Sequence, residues 1–90
     1  MMYNFEIKPK LEKKLFKIRK KDKKTFNRIR NKINEIIIEP HHYKPLKVPM
    51  QNTWRVQIGF YVLTFEINEK ENLVEFLDYE HHDKVYGKGR

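Results

Sequence analysis

The densest cluster of reactive side chains lies near the end of the chain, at residues 79–86, which read YEHHDKVY. Histidine has an unperturbed pKa near neutrality, so the adjacent His81 and His82 can supply both a proton acceptor and a proton donor. Cleavage of a phosphodiester by its own 2′-hydroxyl needs one group of each kind, with cations around the transition state and no metal ion. The segment, which ends at Tyr86, therefore suits acid-base chemistry on RNA.

A second candidate is Arg55, which alternates with apolar residues in a period-two pattern. Successive side chains of a strand point to opposite faces, so Arg55 and Gln57 lie opposite the apolar set. An outward arginine on a central strand provides a cation that can hold phosphate. We expect Thr64 and Glu66, and with them Tyr61 and Tyr79, to lie near it and to form one wall of a shallow site for phosphate.

Each candidate also has a purely structural interpretation. The two adjacent histidines can be surface residues at a strand end, and Tyr86 can hold the end of the chain against the sheet. Arg55 can form a cross-strand ion pair with Glu66 or Glu75. The residue types alone leave both interpretations open.

Other kinds of site have less support. The His41-His42 and His81-His82 pairs are poor metal sites, because adjacent residues on a strand point to opposite faces. The chain has no cysteine, which removes zinc-finger, disulfide and thiol-nucleophile interpretations. It also has no serine and no Gly-rich phosphate loop, which argues against serine hydrolases and nucleotide-dependent enzymes. We expect neither a metal ion nor a cofactor.

The charge balance points to a polyanionic partner. The 90 residues carry 20 Lys and Arg against 12 Asp and Glu, a net charge of +8, and ten of the cations lie between Lys8 and Lys24. A basic surface favours nucleic acid or the ribosome, although a solvated helix face is the simpler interpretation. The length predicts a single domain over residues 1–90. No apolar run approaches the ~20 residues of a membrane span and the N-terminus lacks signal-peptide order, so we expect a cytoplasmic protein that does not contact a membrane.

The apolar periodicity predicts the elements that position these residues. Period-two alternation predicts strands, and apolar residues at i, i+4 and i+7 predict helices, the first starting at Pro9 and the second after an N-cap at Asp22. The order is strand 3–7, two helices up to Pro40, a loop over 40–53, and strands 54–58, 61–67 and 73–79. This βααβββ order predicts an α+β fold in which a two-helix hairpin packs on one face of a small antiparallel sheet.

Residues 54–67, WRVQIGFYVLTFEI, resemble the central hairpin of the RelE/ParE toxin superfamily. In that superfamily an aromatic-Arg-Ile-x-Val-Gly-x-Tyr-Arg-Val-Ile-Tyr-x-Ile pattern recurs. The helical hairpin, the segment Pro45-Leu46-Lys47 and the final His-x-x-x-Val-Tyr at residues 81–86 also occur in the family's order. Each motif is short, and their shared order along nearly the whole chain carries the resemblance.

The resemblance implies a toxin of a type II toxin-antitoxin pair, which acts as a ribosome-dependent mRNA endoribonuclease and is held by a RelB-type antitoxin. Arg55 matches a position that holds the RNA backbone and stabilises the transition state, and Tyr86 matches an aromatic residue that stacks on or orients the substrate. His82 is expected to act as general acid or base, with His81 in the family's His-Arg position. RNA binding is assigned to Lys47, Gln57, Lys84 and Arg90.

Two departures from the family pattern modify this expectation. The arginine that the family has after Tyr61 is Val62 here, and Gln57 stands where some members have lysine. Loss of a positioned cation lowers transition-state stabilisation, so we expect a weak or differently organised nuclease. The alternative is a toxin of the ParE type, which shares the fold, lacks the catalytic set and inhibits DNA gyrase by binding it.

Overall fold

The computed structural model describes residues 2–45 and 52–87, and of residues 86 and 87 only the backbone. It contains two helices and five strands: β1 Asn4–Ile7, α1 Pro9–Lys21, α2 Lys23–Ile38, β2 Lys44–Pro45, β3 Thr53–Ile58, β4 Tyr61–Asn68 and β5 Leu73–His81. A 3₁₀ turn, Pro40–His42, follows α2, and a π-helical turn, Asp83–Gly87, follows β5. We call the latter the C-terminal turn. The predicted α+β class and the order of the elements are confirmed.

The strands form one sheet in the order β1-β5-β4-β3-β2. Neighbours are antiparallel except at the edge, where β1 runs parallel to β5 with Asn4 opposite Leu73. The sheet is therefore mixed, whereas the sequence predicted a wholly antiparallel one. The parallel orientation lets the chain turn at Pro9 and send α1 back along β5, against which α1 packs. The predicted loop also contains one short element, the edge strand β2.

Local signals fix the ends of the two helices. Pro9 occupies the first turn of α1, where its missing N–H costs no hydrogen bond. Asp22 caps α2 by accepting hydrogen bonds from the hydroxyl and the amide of Thr25, and these bonds lower the pKa of its carboxyl. Pro40 follows the end of α2. Neither helix, in the part of the chain that the structure describes, is long and apolar enough to cross a membrane.

The hydrophobic core lies between the helix pair and one face of the sheet, which we call the helix face. The aromatic rings of Phe65 on β4 and Phe76 on β5 lie 5.8 Å apart at its centre, covered by Leu11 of α1 and Ile36 of α2. The opposite side, which carries Arg55, Gln57, Val62 and Thr64 by strand alternation, is the Arg55 face. In β4 the four consecutive residues 62–65 are all buried, so the central strand is covered on both sides.

A β-bulge interrupts the pairing of β4 with β5. Thr64 lies opposite Asp78 and its neighbour Phe65 lies opposite Phe76, so that Leu77 is an extra residue in β5. An extra residue reverses the alternation of all side chains that follow it in the strand. Tyr79 and His81 consequently lie on the helix face, opposite Leu63 and Tyr61. The carboxylates of Asp78 and Glu80 turn to Lys14 of α1, and alternation puts His82 with the Arg55 face.

The ammonium group of Lys14 on α1 holds the bulge in place. Its Nζ donates hydrogen bonds to Asp78 Oδ1 at 2.7 Å, to the Tyr79 carbonyl at 3.1 Å and to Glu80 Oε2 at 2.9 Å. Burial opposes the ionised form of Asp78, but the bonds from Lys14 and from the Tyr79 amide outweigh it and lower the pKa of Asp78. Burial likewise opposes the charge on Lys14, and the two carboxylates outweigh it and raise the pKa of Lys14.

We expect Lys14→Met to lower the free energy of unfolding by about 1–3 kcal/mol, because two partly buried carboxylates lose their shared donor and keep only the more exposed Lys10 and Lys84 as cationic partners. Urea denaturation at neutral pH measures the change. Lys13→Met, at an exposed position of the same helix, is the matched control and should change the free energy by less than about 0.5 kcal/mol. Equal losses in the two variants would contradict a specific role for Lys14.

The lowered pKa of Asp78 predicts an acid-dependent loss of stability. A carboxyl whose pKa is lower in the folded state stabilises the fold above its unfolded pKa of about 4, and this contribution is lost as the pH falls through the folded pKa. The wild-type protein should therefore lose more free energy of unfolding than Asp78→Asn between about pH 5 and about pH 2. Urea denaturation across that range measures both proteins, and parallel curves would show that Asp78 does not titrate in this way.

Candidate functional site

Arg55 lies on the second strand from the β2 edge of the sheet and is half-buried. Thr64 lies directly opposite it on β4, and Asp78 follows on β5. The two glutamates considered as its ion-pair partners lie in a different row, in which Glu66 faces Thr53 and Glu75. Arg55 thus lies in the middle of its face, and neither glutamate is directly opposite it.

Gln57 lies in the next row and braces the β3–β4 hairpin. Its Nε2 donates a hydrogen bond to the Gly59 carbonyl at 2.9 Å. The loop of this hairpin is Gly59-Phe60, and Gly59 has φ of +64°, the left-handed conformation that a type II′ turn requires at its first central position. The predicted RNA-binding residue Gln57 therefore has a structural contact as well.

His82 extends the pairing of β4 with β5 by one step. Its amide donates a hydrogen bond to the Phe60 carbonyl at 2.8 Å, next to the Tyr61–His81 pair. Alternation along β5 puts His82 on the Arg55 face. Its side chain is 44% exposed, and Nδ1 lies 3.8 Å from Asp83 Oδ1. Alternation therefore puts the predicted acid-base residue and the predicted phosphate-binding cation on the same side of the sheet, with the buried Val62 and Thr64 between them.

The interval between Arg55 and His82 is set by the strand geometry. Arg55 on β3 pairs with Thr64 on β4, which pairs with Asp78 on β5, so this row spans two strand spacings. Asp78 lies four residues before His82 in β5. Strand rise and spacing then separate the two Cα atoms by about 16 Å. Side chains at this interval can approach a polynucleotide from two sides without contacting each other.

His81 lies on the opposite face from its neighbour His82. Its ring meets the edge of Tyr61 at a centroid distance of 5.4 Å, and Tyr61 stacks on Tyr79 at 4.8 Å with an interplanar angle of 11°. The prediction that Tyr61 and Tyr79 lie near Arg55 is therefore wrong. Tyr61 alternates with the residues of the Arg55 face, and the bulge turns Tyr79 away from it. The two adjacent imidazoles thus start from opposite faces of β5, yet each Nδ1 lies 3.8 Å from a carboxylate oxygen of Asp83. Their roles in acid-base chemistry stay predictions.

The remaining predicted RNA-binding residues are only partly described. Lys84 lies in the C-terminal turn with its Nζ 4.0 Å from Glu80 Oε1. Lys47, Arg90 and the side chain of Tyr86 lie outside the described residues. Their roles stay predictions.

The histidine pair at the other end of the fold has structural contacts. His41 forms an ion pair with Glu69, and its ring meets the edge of Trp54 at 5.3 Å. His42 packs against Tyr43 at 5.1 Å. Across residues 2–45 and 52–87, no cluster of three or more His, Asp or Glu side chains is placed to hold a metal ion.

Sequence reasoning did not single out Phe60, which is 79% exposed at the tip of the β3–β4 hairpin. Its carbonyl accepts the amide of His82, so an exposed aromatic ring stands beside the acid-base candidate. Such rings stack on unpaired nucleobases. A large apolar residue next to a turn glycine was the available signal, because that position normally holds a small polar residue.

A cleft opens on the helix face at the end of β5. It has a volume of about 720 Å³ and lies between the end of α1, the start of α2 and the C-terminal turn. Seven of its lining residues are cationic or aromatic, a set that sequence reasoning did not bring together: Lys14, Lys17, Lys21, Tyr61, Tyr79, His81 and Lys84. Their separation along the chain hides the grouping, which arises only when α1 packs along β5.

The sequence of this chain is similar to known proteins along nearly its whole length. The sequence profile of the family described as the ParE toxin of type II toxin-antitoxin system, parDE, matches residues 5–86. The RelE4 protein of Methanocaldococcus jannaschii is 44% identical over 88 residues, which cover 97% of this chain and 94% of that protein.

Solved structures share the fold at low sequence identity. The toxin-antitoxin complex RelBE2 of Mycobacterium tuberculosis contains a chain with a TM-score of 0.78 and 19% identity, covering 90% of this chain and 99% of that one. The isolated RelE toxin of E. coli gives a TM-score of 0.73 at 14% identity, covering 96% and 93%. With the profile match and the archaeal relative, the chain belongs to the ParE toxin family of type II toxin-antitoxin systems, within the RelE/ParE superfamily.

Proposed function

We propose that this protein is a ribosome-dependent endoribonuclease that cleaves mRNA through attack of the 2′-hydroxyl, without a metal ion. The observation that supports this proposal is the strand register, in which alternation puts Arg55 and His82 on one face of the sheet, both beyond the bulge toward the end of β5. Such a reaction needs a cation that stabilises the charge of the transition state and an imidazole that transfers a proton.

In the proposed reaction a base removes the proton of the 2′-hydroxyl, whose oxygen attacks the neighbouring phosphorus. The bond from phosphorus to the 5′-oxygen breaks, and that oxygen takes up a proton, which leaves a 2′,3′-cyclic phosphate and a 5′-hydroxyl. His82 performs one of the two proton transfers, and Arg55 stabilises the charge that develops on the phosphoryl oxygens. Tyr86 orients or stacks on the substrate, as the family resemblance implies.

The residue at position 62 limits the expected rate. Val62 is 1% exposed, and the family pattern has arginine at this position. It pairs with Gln57 and Glu80, in the row of residues that separates the row of Arg55 from His82. One positioned cation is worth about 2–4 kcal/mol of transition-state stabilisation, which corresponds to about 10²–10³ in rate. This observation favours the second candidate function, a toxin that inhibits DNA gyrase by binding it and has no nuclease activity.

A RelB-type antitoxin is the proposed partner in either case. The related chain from Mycobacterium tuberculosis was solved as a toxin-antitoxin complex. The net charge of +8 attracts an acidic segment, and a disordered segment that folds on binding can cover a large surface of so small a domain. The ribosome and mRNA are the proposed targets, which implies action in the cytoplasm.

We expect the wild-type protein to cut mRNA on translating ribosomes at decoding-site codons, as read by primer extension. His82→Ala should slow cleavage by about 10²-fold or more, because a general acid or base is lost. Tyr86→Phe tests the residue assigned by resemblance. His42→Ala is the matched control, since it removes another exposed histidine, located in the 3₁₀ turn, and it should cleave at the wild-type rate.

Two outcomes would count against the nuclease. Undiminished cleavage by His82→Ala would remove His82 from the mechanism. Intact mRNA with the wild-type protein would overturn the nuclease proposal, and inhibition of supercoiling by purified gyrase in the same preparation would then identify the second candidate as correct.

We also expect an acidic, helix-forming peptide encoded next to this gene to raise the melting temperature. At about 100 times its Kd a ligand stabilises the folded state by about 2.7 kcal/mol. For a domain of this size that corresponds to a shift of about 10 °C or more. Differential scanning fluorimetry measures the shift, and a scrambled peptide of equal charge is the control. Equal shifts with both peptides would show a general charge effect and no specific antitoxin site.

A further inference from the structure

We propose that the cleft on the helix face is a binding site for single-stranded RNA, in which a base stacks on Tyr61 and phosphates contact Lys17, Lys21 and Lys84. The inference rests on the proposed action on RNA, but it concerns a surface on the other side of β5 from Arg55 and His82. It gives the protein a second contact with RNA, which no part of the proposed cleavage step requires.

The cleft has the size and the exposed aromatic surface that a nucleotide needs. Its volume of about 720 Å³ lies in the range of sites that enclose small ligands. Tyr61 is 41% exposed. Stacking on Tyr79 and the edge contact with His81 hold its ring, so little conformational freedom remains to be lost when a base stacks on it. Burial raises the pKa of Tyr79, which keeps that phenol neutral at physiological pH.

Two cations of the cleft, Lys17 and Lys21, are available to a ligand, and among the residues that the structure describes the exposed Lys84 has only a 4.0 Å contact with Glu80. Lys17 and Lys21 lie one turn apart on α1, and within the described part of the chain no ion pair engages either of them. The two carboxylates of the wall have partners in the protein, because Asp22 caps α2 and Glu80 accepts from Lys14. The surplus of positive charge is therefore left for phosphates.

The position of the cleft relates it to the Arg55 face. His81 lines the cleft and the next residue, His82, follows the other face, so the two surfaces meet at the end of β5. Lys84 in the C-terminal turn stands at this junction. A strand of a few nucleotides that passes around the end of β5 can contact both surfaces. The cleft then holds nucleotides that flank the cleaved bond.

Binding of a fluorescently labelled, fully 2′-O-methylated RNA decamer, read by fluorescence anisotropy, tests the proposal, because this probe cannot be cleaved through a 2′-hydroxyl. Tyr61→Leu should weaken binding about 10-fold, the effect of losing one stacked base. Tyr61→Phe retains the ring and should bind as the wild type does. This second variant separates loss of stacking from loss of folding, which urea denaturation of both variants also checks.

The double variant Lys17→Glu/Lys21→Glu tests the phosphate contacts. It should lower the slope of log affinity against log salt by about 1.4, for two single-strand phosphate contacts. The matched control is Lys13→Glu/Lys20→Glu, which makes the same charge change on α1 at exposed positions that do not line the cleft. The control should leave the slope close to that of the wild type.

The outcomes separate this proposal from the nuclease. Wild-type binding of the probe by His82→Ala, together with the losses above, would support a distinct RNA site even if no cleavage were found on ribosomes. Equal losses in the two lysine pairs with normal binding by Tyr61→Leu would overturn the proposal and show a general basic surface. The proposal would also be overturned if Tyr61→Leu and Lys17→Glu/Lys21→Glu lost binding of the acidic antitoxin peptide but bound RNA as the wild type does. The cleft would then be a peptide site.

Discussion

The β-bulge at Leu77 determines which side chains the two faces of this sheet present. The Lys14 ammonium binds the residues that follow it, Asp78, Glu80 and the Tyr79 carbonyl, and so stabilises this end of β5 against α1. With regular pairing the alternation would reverse, and His82 would point toward the helices. The register of β5 thus decides the side of the sheet on which alternation puts His82.

The central strand β4 gives both faces a common rigid support. Its residues 62–65 are buried, and it pairs with β3 on one side and β5 on the other. Arg55, on β3, and His82, at the end of β5, are therefore held by separate strands hydrogen-bonded to the same neighbour. Tyr61 belongs to β4 itself and presents its ring to the opposite side. A small domain in this way carries two chemically different surfaces on one layer of backbone.

Local signals in the sequence predicted most of the elements, whereas pairing between distant segments decided the rest. Pro9, Asp22 and Pro40 mark the helix ends because each acts within one turn of chain. The bulge leaves no such mark, since Leu77 continues an ordinary strand pattern and only the register with β4 makes it an extra residue. Simple alternation from Leu73 would have put His82 on the helix face, so the family resemblance identified it and periodicity did not. The parallel β1 escaped prediction for the same reason.

The pairing of β1 with β5 also orders events during synthesis. Asn4 of β1 is made before both helices, whereas its partner Leu73 follows them in β5. Contacts this distant in sequence form late, because the intervening chain must first be closed into a loop. A growing chain can form its helices while β1 still lacks its neighbour. Both surfaces of the sheet depend on β5, so a partner that recognises either of them can bind only after β5 has been made and paired.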